Sequence, residues 1–268
     1  MSVPTWAAPD YRRFRPPVPA PVVRRLVGAV ARRDHALDVG CGTGQVTFAL
    51  SRQFTSVIGA DSDEAMLSEA RRAALDQLVH GVQFRQSRAP ELGGIAGTFD
   101  LITFCRSFHW MDRPATLARI RGLLHRSSRV AIMGDGTFWT GETSWEKALK
   151  ALIQSYLGEQ RRGAYQTPLT SHEDELLRAG YAIVSNDRFR FDRKWTVSEA
   201  LGCLRGTSYA NPSLFADYEA FKADAERLLR NEADLTEHVA FHVIVAEPAG
   251  DRALSVKPAH RNDRRGKQ

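Results

Sequence analysis

The run Asp38-Val39-Gly40-Cys41-Gly42-Thr43-Gly44 places three glycines within five residues. Glycine lets a backbone turn sharply and lets a ligand approach it with no Cβ in the way. Two phosphate-binding patterns use such runs, and neither fits. A dinucleotide fingerprint wants glycine three residues after its second glycine, where this chain has Gln45. A phosphate loop wants Gly-Lys-Ser/Thr, and no lysine lies nearby. Asp61 follows seventeen residues after Gly44. At the end of a second strand, such an acid can accept hydrogen bonds from both ribose hydroxyls of a nucleoside. Its alternative use is to cap the next helix, which Ser62 or Asp63 can do without it. His109 is the candidate general base, since an ordinary imidazole takes a proton near neutrality. The alternative is a histidine that packs or positions beside Trp110. Trp110 suits a pocket wall, Arg106 either pairs with an anionic substrate or stays solvated, and Asp135 can face the same pocket. Cys41, Cys105 and Cys203 are too few and too scattered for a disulfide framework or a zinc site, so no metal is expected.

Alternating strands and helices would hold these groups in place. Ala36–Val39 is a short apolar run before the glycines, and a helix follows through Val46–Leu50. Ser56–Ala60, Val82–Phe84, Phe99–Phe104 and Arg129–Met133 read as further strands. Helices start at Asp63 and at Asp112 with Pro114. The alternation implies a parallel sheet covered on both faces. Ahead of it, the prolines between Pro16 and Pro21 lead into a helix carrying Val22, Leu26 and Val30. Beyond Gly134 the spacing predicts helices at Trp145–Tyr156 and Ser171–Ala179 and a strand at Ala182–Phe191. It also predicts a helix opened by Asn211-Pro212 and a last strand at Val239–Ala246. The later helices should cap one edge of the sheet, with their aromatics mostly in the core. The expected division is a lid segment and helix over 1–34 and a main domain over 35–247. Cap insertions fall near 137–170 and 194–232, and a basic, disordered tail covers 248–268.

With 43% hydrophobic and 25% charged residues among 268, the chain has the composition of a soluble globular protein. No apolar run reaches the roughly 20 residues that span a bilayer, and no secretory leader is evident, so a cytoplasmic location is expected. Of the net charge of +6, the segment Pro248–Gln268 carries +4. The excess therefore sits in the tail, and no nucleic-acid partner is expected.

At the residues above the chain resembles class I S-adenosylmethionine-dependent methyltransferases of the small-metabolite, type 11-like subgroup. Ala36–Gly44 looks like their first motif, and Gly59-Ala60-Asp61-Ser62 with Met66 looks like their second. Phe99-Asp100-Leu101-Ile102 and Phe108-His109-Trp110 resemble later landmarks. Tyr11…Arg15-Pro16 resembles a segment that folds over the cofactor. The resemblance implies a doubly wound, mostly parallel seven-stranded α/β sheet with a helical cap, and S-adenosylmethionine as cofactor. It implies a small-molecule acceptor, a natural product or a carboxylate-containing compound among the candidates, methylated by direct displacement. It places Asp38, Gly40, Gly42, Gly44, Gln45, Asp61, Ser62 and Met66 at the cofactor, and the backbones of Arg88 and Ala89 near its adenine. The Cys105 carbonyl would face its ammonium, while Tyr11 and Arg15 would contact cofactor or substrate. Arg106, Trp110 and Asp135 would then lie on the acceptor side, with His109 as base. Two other readings stay open: an inactive cofactor-binding or regulatory module of the same fold, and a nicotinamide-dependent oxidoreductase, which Gln45 disfavours.

Overall fold

The computed structural model describes residues 8–159 and 171–249. In chain order they form α1 (Ala8–Phe14), α2 (Ala20–Gly28), β1 (His35–Val39), α3 (Gln45–Ser51), β2 (Ser56–Asp61), α4 (Glu64–Asp76) and β3 (Val82–Gln86). Next come β4 (Phe99–Cys105), α5 (Arg113–Arg121), β5 (Leu124–Gly134), α6 (Ser144–Leu157) and α7 (His172–Arg178). The last are β6 (Tyr181–Lys194), α8 (Val197–Arg205), α9 (Tyr218–Arg230) and β7 (Thr236–Pro248). One seven-stranded sheet has the order β3-β2-β1-β4-β5-β7-β6. The pairs among β1 to β5 are parallel, and β7 runs antiparallel to both β5 and β6.

Successive strand residues are buried on opposite faces, as a sheet covered on both sides requires. Leu37, Ile102 and Ile132 pack in one cluster with Leu117 and Ile120 of α5 and Leu176 of α7. Their neighbours Ala36, Leu101 and Ala131 pack on the other face with Val22 and Leu26 of α2 and Val46 and Leu50 of α3. A third cluster joins α6, α8 and α9 through Trp145, Leu149, Cys203, Leu204, Phe221 and Leu229. The Trp145 indole donates to the Thr236 carbonyl at 2.9 Å, which ties this helical layer to β7. Along the sheet, the chain runs outward from β1 to β2 and β3, then returns to β4 on the other side of β1. Open α/β sheets bind ligands in the crevice at such a reversal. Among the described residues no helix is long and apolar enough to cross a membrane.

Helix starts follow their caps. Asp63 accepts from the Ala65 and Met66 amides at 2.8 and 3.4 Å, and Asp112 accepts from Ala115 at 3.1 Å. Asn211-Pro212 opens only a single 3-10 turn over Pro212–Leu214, and the long helix starts later, after Asp217. Asp217 is the cap followed by a continuous apolar face of Phe221, Ala225 and Leu229, whereas Phe215 is buried in extended backbone. Composition alone does not predict α8, although Thr196 and Glu199 form a capping box at its start. Pro248, grouped with the tail by composition, closes β7 opposite Tyr181. Residues 250–268 of that tail and residues 160–170 of the first cap insertion lie outside the described residues.

Candidate active site

At the end of β1 the backbone folds over the tip of β2: the Gly40 and Cys41 amides both donate to the Ala60 carbonyl, at 2.7 and 3.1 Å. Gly40, Gly42 and Gly44 all have positive φ, at 70°, 54° and 88°. They serve different ends. A Cβ on Gly40 would stand 2.4 Å from the Ser107 Cβ, so this glycine lets β1 and the chain after β4 come together. The Ser107 hydroxyl donates to the Val39 carbonyl at 2.9 Å across that junction. At Gly42 the nearest neighbour of a Cβ would be the Tyr11 ring at 3.9 Å, so the backbone is open to a ligand. Gly44 precedes α3 in the left-handed conformation.

Asp38 lies beneath this turn rather than in it. It is 1% exposed, and its oxygens accept from the Thr47 and Thr103 hydroxyls at 2.8 and 3.0 Å. Burial pushes its carboxyl up to about 6, against the pull of those two donors. Asp61 faces the turn. One oxygen accepts from the Gly42 amide at 2.8 Å and the other from Asp63 at 2.9 Å, which leaves each with a second lone pair. Burial raises this carboxyl too, opposed by the Asp63 and Gly42 amides. The Ser87 amide donates to the Asp61 carbonyl at 2.8 Å and draws the end of β3 alongside.

These residues suit a nucleoside cofactor: a ribose-type acid with spare lone pairs, an open glycine backbone, the buried Met66, and a buried Gln45 Nε2 with no partner. Ala89 is buried nearby, whereas Ser62 is exposed and the Arg88 side chain turns outward, 4.0 Å from Glu91. Residues 36–127 match the family of methyltransferase domains. Over those residues the chain is similar to methyltransferase domains. Over 121 residues it is 36% identical to trans-aconitate 2-methyltransferase of Deinococcus radiodurans, covering 43% of this chain and 44% of that protein. It spans less than half the length of the curated relatives it matches. In fold it is similar to an Anaeromyxobacter dehalogenans protein described as a type II methyltransferase. The TM-score there is 0.60 at 21% identity, over 88% of this chain and 98% of that one. Phosphoethanolamine N-methyltransferase 2 of Haemonchus contortus, solved with S-adenosylhomocysteine, aligns at TM-score 0.53 and 16% identity. That match covers 91% of this chain and 57% of the other.

On the β4 side of the site, two expectations change. Arg106 is not a spare cation. It donates to both oxygens of Asp135, at 2.5 and 2.8 Å, and to the Pro16 carbonyl at 3.1 Å. Those bonds hold it at φ +57°, in the left-handed region that disfavours an arginine. Burial alone would raise the Asp135 carboxyl, but Arg106, Arg15 and Arg193 hold it well below its ordinary value. Asp135 is thus an anchor for arginines. The second change is at His109, in the 3-10 turn Phe108–Trp110. Burial, with His172 and Arg113 nearby, pushes it down to about 4. Its ring lies 5.1 Å from that of Trp110, which is 50% exposed. Burial also lifts the Cys105 thiol to about 12, which leaves no thiolate for chemistry.

Helix α1 spans the site. Arg12 pairs with Glu69 and Asp76 of α4, and Asp10 pairs with Arg205 of α8. Opposite corners of the Tyr11 ring approach Gly42 and Gly206. Next to it a narrow cleft runs from Arg15 and Pro16 to Asp135–Phe138, Arg193, Trp195, Cys203, Thr207, Tyr209 and Glu237. The sequence reading missed the residues beyond Asp135. Glu237 left a signal: it shares the period-two face of Val239, Phe241 and Val243, an acid where the pattern is buried and apolar.

Proposed function

We propose that the protein transfers a methyl group from S-adenosylmethionine to a small-molecule acceptor by direct displacement. One observation carries the reading. Asp61 presents two half-satisfied oxygens beside the open backbone of Gly42, in the crevice where the strand order reverses. When bound, S-adenosylmethionine supplies a methyl on a sulfonium, a good leaving group. The work left to the chain is to hold two reactants in line, worth on the order of 7–11 kcal/mol. Asp61 takes the ribose hydroxyls, Gly42 makes room for the chain of the cofactor, and Tyr11 covers it from α1. His109 is neutral at pH 7. With its pKa near 4 it accepts a hydrogen bond and orients an acceptor, but takes up little of a proton. It is a positioning residue in this reading, not the base. The likeness to a methyltransferase named for trans-aconitate supports an acceptor of small size.

The test is incubation with methyl-labelled S-adenosylmethionine and a metabolite extract. A labelled small molecule should appear together with S-adenosylhomocysteine. Cofactor binding with no labelled product in any fraction would favour the inactive binding module, and no cofactor binding would remove both readings.

A further inference from the structure

The cleft beside Tyr11 is rich in charge and short of one kind of partner. Arg15 and Arg193 line it with Asp135 and Glu237, and Arg106 reaches the group through Asp135. Both acids are already engaged. Asp135 holds Arg106 by two bonds, with Arg15 and Arg193 each at 3.6 Å. Glu237 accepts from Arg193 at 3.0 Å and from the Trp195 indole at 2.9 Å through one oxygen. Two buried donors remain unpaired on the cleft wall, the Arg15 Nε–H and the Tyr209 hydroxyl. Tyr209 is 4% exposed, and its hydroxyl lies near those of Thr137 and Thr207 without a bond of normal geometry to either. The Thr207 proton is committed to the Leu204 carbonyl at 2.7 Å. Leaving a buried donor unpaired is costly, so two of them on one cavity wall mark a place for a ligand that accepts.

We propose that this cleft anchors the acceptor and takes a carboxylate group, held by the Arg15 Nε–H and the Tyr209 hydroxyl. The proposal rests on the methyl-transfer reading and names the acceptor class for it. A carboxylate brings two oxygens and no proton, which matches two unpaired donors on one wall. Phe138, Trp195 and Tyr209 line the apolar side of the cleft. The cofactor carries a carboxylate of its own, and the experiment separates the two sources.

The full chain is first saturated with S-adenosylhomocysteine and then titrated calorimetrically with two carboxylate probes, trans-aconitate and benzoate. Trimethyl trans-aconitate and benzamide serve as neutral counterparts. At least one carboxylate should bind the complex, about tenfold or more tighter than its neutral counterpart. Tyr209→Phe and, separately, Arg15→Lys should weaken that probe by about tenfold. The S-adenosylhomocysteine affinity of Tyr209→Phe, read in the same titrations, should stay within about twofold, roughly 0.4 kcal/mol. Overturning results are no carboxylate binding to the saturated complex, equal binding by Tyr209→Phe, or a Tyr209→Phe loss that falls on S-adenosylhomocysteine instead. The last would place the cofactor's own carboxylate in the cleft. If the unmodified chain fails to bind S-adenosylhomocysteine at all, the methyl-transfer reading fails first and the proposal with it.

Discussion

At the scale of single residues, three carboxyl and imidazole groups with similar sequence claims separate by what surrounds them. Asp61 has one backbone donor on each oxygen and room for another. Asp61→Ala should weaken S-adenosylmethionine binding by about 10–150-fold, since hydrogen bonds to a charged acceptor are worth about 1.5–3 kcal/mol. Calorimetry on the folded variant checks it, and unchanged affinity would take Asp61 out of the site. Asp38 is held by two threonine hydroxyls in the core, and its titration bears on stability. Its folded pKa of about 6 lies above the unfolded value of about 3.9, so its stabilising contribution is complete below pH 4. That contribution is lost as pH rises through 6, by roughly 3 kcal/mol. Denaturant unfolding of Asp38→Asn at pH 4 and pH 8 should show that loss removed. His109 was legible as a position but not as an acid. Burial depresses it, helped by His172 and Arg113, and these neighbours come from other elements. His109→Gln should raise KM for the acceptor more than it lowers kcat. The pH–rate profile between 5 and 9 should keep its shape, because the ring is already neutral throughout; an inflection near 6.5 that vanishes in the variant would restore the base.

At the scale of elements, the turn between β1 and α3 was readable because its demands are local: glycines, a strand before them and a helix after. Their division of labour was not, because it depends on Ser107 and Tyr11, which arrive from β4 and α1. Replacing each glycine by alanine makes the difference measurable. Both substitutions carry the left-handed penalty of about 1–2 kcal/mol. Gly40→Ala adds a clash with Ser107 and should destabilise the fold by several times that, on the order of 3–5 kcal/mol. Gly42→Ala meets nothing nearer than 3.9 Å, so its thermal midpoint should fall only modestly while cofactor affinity drops at least about tenfold. Thermal melts paired with cofactor titration separate the two, and identical profiles would refute the assignment. The Arg106–Asp135 pair illustrates the other limit of sequence reading. Each residue follows its own strand and each looked available for substrate, yet β4 and β5 lie side by side and the two side chains saturate each other. Arg193 and Tyr209 went unnoticed for a similar reason, since the contacts that give them meaning are long-range.

At the scale of the whole molecule, α1 is the bridge between sheet and helical layer. Phe14 rests on Gly202 of α8, where an added Cβ would come within 2.4 Å of its ring. Gly202→Ala should push α1 away and take Tyr11 from Gly42. Cofactor affinity should then fall severalfold, about 1 kcal/mol or more, with secondary structure by circular dichroism retained. Affinity equal to the parent chain would show that α1 contributes nothing to cofactor binding. The strand order has a consequence for how the protein comes into being. Everything that makes the cofactor crevice, from the first glycine to Asp61 and the end of β5, is encoded before residue 135 in successive strand–helix units. The wall bearing Arg193 and Glu237 depends on β7, the last strand in sequence, which sits between β5 and β6. During synthesis β6 leaves the ribosome with its neighbour in the sheet still unmade, and β5 keeps an open edge until Thr236–Pro248 emerges. The two halves of the cleft therefore mature in a fixed order, the turn of Gly42 and Asp61 first, and chains halted before β7 would lack the wall that Arg193 and Glu237 complete.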